Sequence, residues 1–188
     1  FSFSCNQKEV KNSDKQSIGN TNSLAVFIDD KLWIGEIGDT IRKKFAAPVD
    51  GLPQEEPLFT INQYPLHAFE GSLAKNRNIL YIKKEARNDF NFSENQFGMP
   101  QNLIRISGNS TASIIGHLEK NAAEIIARMQ QTEIEVTQNQ IKASLMDDKK
   151  FRNKFNISLL VPKTFKVVLE KDKFLSLILN LNWIFFTS

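Results

Sequence analysis

The sequence predicts an α+β fold, a mostly antiparallel sheet with helices packed on one face; a ferredoxin-like arrangement is the nearest simple example. Three observations lead there. The short apolar run Leu24-Ala25-Val26-Phe27-Ile28 fits a buried strand. Ile114, Ile115, Leu118, Ala122, Ile125, Ile126 and Met129 recur at the three-and-four spacing of a core-facing helix. The order strand, helix, strands, helices, strands suits a sheet layered against helices.

Each element has its own signature. Asp29-Asp30 ends the first strand and can cap the next element. Trp33, Ile37, Ile41 and Phe45 then recur every four residues on one helix face. Gly35 and Gly38 interrupt that stretch, each weakening a helix by up to about 1 kcal/mol relative to Ala, so a close backbone approach or an irregular first turn is expected. Pro48, Gly51, Pro53 and Pro57 mark a loop. Strands are expected over 58–64, 78–83, around Phe90 and Phe92, and around Leu103, Ile104 and Ile106. Ser110 is placed to cap the long helix, and a second helical stretch is expected over 133–155. Strands over 158–161, 165–169 and 174–179 complete the pattern.

Size and composition bound the rest. The 188 residues fit one folded domain, and 41% hydrophobic with 24% charged residues is an ordinary globular balance. The 24 basic and 21 acidic residues are spread along the chain, without the basic block that nucleic-acid binding needs. The densest run, Lys149-Lys150-Phe151-Arg152-Asn153-Lys154, comes after Asp147-Asp148 and reads as a solvated helix face. No run reaches the roughly 18 apolar residues of a spanning helix; the tail 174–186 comes nearest and is broken by Ser176, Asn180 and Asn182.

Cys5 carries the clearest statement about location. It comes after Phe1-Ser2-Phe3-Ser4 and precedes a polar run, 6–23, whose large aliphatics are Val10 and Ile18. That order matches the end of a signal segment, a lipid-acceptor cysteine and a flexible tether. Ser2 departs from the aliphatic residue usual three positions before the acceptor. The expected organisation is therefore 1–5 as signal end, 6–22 as tether, 23–170 as the α+β domain, and 171–188 as an apolar tail from a truncated or frame-shifted second half.

Candidate chemistry is sparse. Asp29, Asp30, Trp33, Glu36, Asp39 and Arg42 gather near a strand-to-helix junction, where carboxylates can hold a cation or serve as an acid/base pair. The same residues suit helix starts and an Asp39–Arg42 surface pair. His67 and His117 each lack a second ligand at metal-site spacing. The chain holds no G-x-S-x-G or G-x-x-x-x-G-K motif, and Gly35-Glu36-Ile37-Gly38 is too short and too acidic to cradle phosphates. No metal or other cofactor is expected.

Four segments carry a family resemblance: Asp29 through Arg42, Pro48 through Gln54, Asn76 through Leu80, and Phe155 through Ser158. They resemble an uncharacterised family of Bacteroidetes lipoproteins, domain of unknown function 4837, over about residues 23–170. The resemblance implies a signal-bearing, lipid-anchored protein and assigns no reaction. The expectation is a lipid-anchored protein of the bacterial cell envelope that meets the membrane through Cys5 and binds another protein, a glycan or a small ligand, with no nucleic-acid partner. One rival is an envelope hydrolase working through Asp29, Glu36 and Asp39. Another is a soluble intracellular scaffold in which Cys5 is incidental.

Overall fold

A computed structural model describes residues 15–51, 54–171 and 173–179. The chain divides into two compact units, Phe1–Glu133 and Ile134–Ser188, where the sequence was read as one domain over 23–170. Cys5, the tether residues 6–14 and the tail beyond 179 lie outside the described residues.

The first unit runs β1 (Ser23–Phe27), α1 (Asp30–Ile34), α2 (Glu36–Phe45), β2 (Thr60–Tyr64), β3 (Asn78–Lys84), β4 (Asp89–Glu94), β5 (Asn102–Gly108) and α3 (Thr111–Ala143), the last continuing past the unit boundary. Its sheet has the order β2-β1-β3-β5-β4. The expected combination of sheet and one-sided helices is present, but strand direction corrects the mostly antiparallel, ferredoxin-like expectation. β1 pairs parallel with β2 and β3, β3 pairs parallel with β5, and β4–β5 is the antiparallel pair.

The physical reason lies in the connections. Parallel neighbours need long crossovers, and β1 reaches β2 through α1, α2 and the proline-containing loop. β2 reaches β3 through two short 3-10 turns, Leu66–Ala68 and Leu73–Lys75. All of Leu24 to Ile28 is buried, the continuous apolar run of a strand covered on both faces.

One face of the sheet packs Leu24, Val26, Leu80, Ile82, Ile104 and Ile106 against Ile37, Ile41 and Phe45 of α2 and against Ile114, Leu118, Ile125 and Met129 of α3. The other face buries Ala25, Phe27, Ile79 and Leu103 beneath Tyr64, Leu66, Phe69 and Leu73. The turns that link β2 to β3 thus form the second cover. Phe69 is its aromatic hub: its ring lies 5.0 Å from Phe27, 5.1 Å from Tyr81 and 5.4 Å from Phe97.

Helix starts are set by the side chains that serve them. Asp29 accepts a hydrogen bond from the Lys31 amide at 2.9 Å and opens α1. Gly35 separates α1 from α2, and a Cβ on Gly38 would overlap the Trp33 carbonyl oxygen, so both expected effects of the glycines are present. Ser110 and Ser113 exchange hydrogen bonds at the start of α3: the Ser113 amide donates to Ser110 Oγ at 3.1 Å, and the Ser110 amide to Ser113 Oγ at 3.3 Å.

Part of the expected tether belongs to the fold. The Ser17 amide donates to the Met99 carbonyl at 3.1 Å, the Ile18 amide to Lys75 at 2.9 Å, and the Arg77 amide to Ile18 at 2.9 Å. Backbone pairing holds this polar stretch despite its composition, because peptide groups bond regardless of side chain.

In the second unit, α4 (Lys149–Phe155) precedes an antiparallel hairpin of β6 (Phe165–Lys171) and β7 (Phe174–Leu179). The helix expected over 133–155 is instead two helices broken at 144–148. Asp147 accepts from the Lys149 amide at 2.9 Å and so serves the start of the new helix, while Asp148 pairs with Arg152 at 2.7 Å. Residues 158–161, expected as a strand, form no ladder; the Met146 amide donates to the Val161 carbonyl at 2.9 Å and Ser158 Oγ to Asp148 at 2.8 Å.

Candidate functional site

The six residues singled out from sequence separate into two groups. Asp29 and Asp30 sit at the carboxyl ends of β1 and β2. There they line a shallow cleft of about 460 Å³ with Lys31, Pro65, Leu66 and His67. Asp29 is committed to its cap, and Asp30 accepts from Gln63 Nε2 at 3.0 Å. The second group is a surface brace. Arg42 lies 4.5 Å over the Trp33 ring, pairs with Asp39 at 2.7 Å and donates to the Trp33 carbonyl at 3.3 Å. Glu36 stands exposed in the first turn of α2. The three carboxylates of the hydrolase expectation, Asp29, Glu36 and Asp39, are thus spread over two helix starts and one ion pair. His117 stacks on Phe90 at 6.3 Å, away from His67. Among the described residues no cluster of three or more His, Cys, Asp and Glu could hold a metal ion.

A different surface gathers more chemistry. On β3, β5 and β4 the side chains alternate between faces: Leu80, Ile82, Ile104, Ile106, Phe90 and Phe92 turn to the helices. Their alternates turn to the face of Phe69. Register aligns them in rows, Tyr81–Arg105–Asn91 and, nearer the carboxyl ends of β3 and β5, Lys83–Ser107–Asp89. Below them lie Ile79 and Leu103, covered by Phe69 and Leu73. The cover reaches the first row, where Phe69 meets Tyr81 and Arg105, and beyond it lies a cleft of about 330 Å³ lined by Tyr81, Lys83, Glu85, Asp89, Asn91, Arg105 and Ser107.

The bonds within this cleft decide which groups face it unmatched. Lys83 pairs with Glu85 at 3.2 Å. That bond, with the neighbouring Ser107 hydroxyl and the charge of Arg87, holds the Glu85 carboxyl below its ordinary range. Ser107 Oγ donates to the Arg87 carbonyl at 2.9 Å. Arg105 Nη1 donates to Gln96 Oε1 at 2.8 Å and to Ser93 Oγ at 3.4 Å, while its guanidinium carbon lies 5.9 Å from the Phe69 ring. Asp89 makes no ion pair among the described residues. The groups suit recognition through hydrogen bonds and charge. Sequence reasoning missed them, although the polar residues at every second place in 81–85 and at 105 and 107 were a usable signal.

Open parallel sheets have a general rule for the location of ligand sites. Ligands bind outside the carboxyl ends of the strands, where successive connections leave in opposite directions. Here β1 leads to β2 on one side and β3 leads to β4 and β5 on the other, so the switch point lies between β1 and β3, beside this cleft and not within it.

The opposite end of the sheet is sealed by a buried polar network. Arg77 Nη1 and Asn78 Nδ2 both donate to Glu133 of α3 at 2.8 Å. Asn102 Nδ2 donates to Asn78 Oδ1 and to Thr132 Oγ1, each at 2.9 Å. These groups join the amino ends of β3 and β5 to α3.

No curated protein matches this chain, and no solved structure matches it. A family match over residues 17–142, more than half of the chain, overturns the resemblance to domain of unknown function 4837, and with it the expectation of a Bacteroidetes lipoprotein family. Short motifs such as Asp29 through Arg42 occur by chance more readily than a fit spanning the whole first sheet. The matched stretch includes all five strands of that sheet, both clefts and the polar network, and it makes the chain a member of the family Domain of unknown function (DUF8532).

Proposed function

We propose that this chain is a non-catalytic binding module whose ligand seats on the uncovered polar face of β3, β5 and β4. The observation that carries the reading is the cleft itself. Six polar side chains from three strands, with Glu85 just beyond β3, line one cleft above the buried Ile79 and Leu103. Rigid strands hold such groups more exactly than loops do. The hydrolase alternative is less favoured, because Asp29 caps a helix and Asp39 is paired with Arg42.

The reading includes attachment. A lipid on Cys5 would hold the module at a bacterial envelope membrane, with the polar residues between Cys5 and the first backbone pairing at Gln16 as the tether. The support is the order of residues around Cys5, since two or more acyl chains are needed for stable anchoring.

Two experiments test the parts separately. Amide spectra of labelled protein, recorded with amino acids, monosaccharides, nucleotides and inorganic phosphate in turn, are expected to show shifts confined to Tyr81, Lys83, Asn91, Arg105 and their neighbours. Shifts confined to Asp29, Asp30 and His67 would move the site to the other cleft and sink this reading. Mass spectrometry of protein from its native host is expected to find a lipid increment that Cys5→Ser removes; an unmodified Cys5 sinks the anchor and favours the intracellular scaffold.

A further inference from the structure

We propose that the outer face of the β6–β7 hairpin lies flat on an anionic lipid bilayer, a membrane contact that needs neither the cleft nor Cys5. Register sorts the hairpin into two faces, because residues paired across an antiparallel ladder turn to the same side. Val167–Leu177 and Glu170–Leu175 turn to α4. Glu170 meets Lys150 and Lys154 at 3.4 Å each, and Phe151 and Phe155 line a groove with Leu175 and Leu177. Lys166–Ile178, Leu169–Ser176 and Lys171–Phe174 form the outer face, turned away from α4. The irregularity between Val167 and Leu169 leaves Val168 as the extra residue of its strand.

Large apolar side chains stand in the open there. Val168 is 51% exposed, Leu169 43%, Phe174 54% and Ile178 51%. Single exposed apolar residues are ordinary, but four on one two-stranded element make a patch. Charge selects what meets it. Residues 134–188 hold nine basic and five acidic residues, against fifteen and sixteen in residues 1–133. Lys163, Lys166, Lys171 and Lys173 stand at the two ends of the hairpin, and none makes an ion pair among the described residues. Glu170, the acidic residue of β6, is spent on α4. Lys166 and Lys171 lie on the outer face itself, five residues and so about 16 Å apart. Ile178 and Phe174 are their register partners.

An apolar face with lysines at each end is the composition of an interfacial element. The apolar groups enter the headgroup boundary, and each lysine lays its stem along them while its ammonium meets lipid phosphates. The fit is face-on. Tip-first insertion would carry Lys171 and Lys173 into hydrocarbon, whereas at headgroup depth water still serves the open strand edges. Other partners fit less well. A second copy seated on this face would set lysines against lysines. Duplex nucleic acid would use the lysines and leave Val168, Leu169 and Ile178 in water.

Vesicle sedimentation tests the contact, with the full chain carrying Cys5→Ser so that no acyl anchor contributes. Vesicles of phosphatidylcholine with phosphatidylglycerol are expected to bind about tenfold or more tighter than phosphatidylcholine alone. Phe174→Thr with Ile178→Thr, which keeps strand propensity, is expected to lose about tenfold. Lys166→Gln with Lys171→Gln should lose as much, while Lys43→Gln with Lys84→Gln removes the same charge from the first unit and should change little. Amide spectra check that β6 and β7 stay paired in each variant. A readout free of variants is the broadening caused by a paramagnetic lipid in bicelles, expected to be greatest at amides of β6 and β7. Greater broadening elsewhere, or equal binding to both vesicles, overturns the proposal. So does an equal loss from the two lysine pairs, which would reduce the effect to net charge. Indifference to the threonine pair, with equal binding to duplex DNA, overturns it in favour of a polyanion surface. Binding to neither vesicle overturns it too, and a dimer in light scattering that the threonine pair dissolves would assign the face to a second copy.

Discussion

Glu133 shows how far a single residue's role depends on its neighbours. In the sequence it is one glutamate in a long polar helix; in the structure its side chain is 4% exposed and bonded to Arg77 and Asn78. A buried ion pair contributes little net stability when whole, but removing one partner strands the other charge. Glu133→Ala is therefore expected to lower stability by about 3–5 kcal/mol, read from denaturant midpoints. The double replacement Arg77→Met with Glu133→Leu should cost clearly less than the sum of the single ones, and additive costs would contradict the network. The buried Nε of Arg77, which has no hydrogen-bond partner among the described residues, is one reason why the pair is not a strong stabiliser in itself. Nothing in the sequence marked this set, because its members are 55 and 56 residues apart along the chain.

At the scale of elements, caps and stripes were legible and directions were not. Asp29, Ser110 and the stripe of Ile37, Ile41 and Phe45 act where the sequence placed them, since capping and amphipathic spacing are local. The break between α3 and α4 was missed because Asp147 and Asp148 were read as surface charge. The pairing of Asp148 with Arg152 makes a testable pH statement. The hydrogen bond from Arg152, then that from Ser158, holds the Asp148 carboxyl below its ordinary range. The charge of Lys150, then the hydrogen bond from Lys154, does the same for Glu170. A depressed carboxylate contributes stability that is present above its unfolded pKa and lost as pH falls through the folded value. Carboxyl resonances of Asp148 and Glu170 should therefore titrate on the acid side of ordinary aspartate and glutamate. Arg152→Gln is expected to move Asp148 back toward the usual range and leave Glu170 in place. No movement would remove Arg152 as the cause of the Asp148 shift.

Across the whole molecule, burial is unequal between the two units. β1, β3 and β5 carry residues with no exposed surface on both faces of the sheet, whereas Val168, Leu169, Phe174, Ile178 and Leu179 of the hairpin are exposed. A two-stranded hairpin is marginal in water, and amide exchange tracks local opening. Amides of β1, β3 and β5 are expected to exchange slowest, with those of β6 and β7 faster by orders of magnitude. Equal protection of both sets would show that the hairpin is covered in solution.

By itself the sequence determined the elements of the first unit, their buried faces and the lone Cys5, because periodicity, capping and composition act over a few neighbouring residues. Tertiary structure alone decided strand direction, the covering of the second sheet face by the 65–75 segment, and the gathering of Tyr81, Lys83, Asp89 and Arg105 on one cleft. Those depend on which strands become neighbours and in what register, and a shift of one residue would have turned every one of the cleft's polar side chains to the other face.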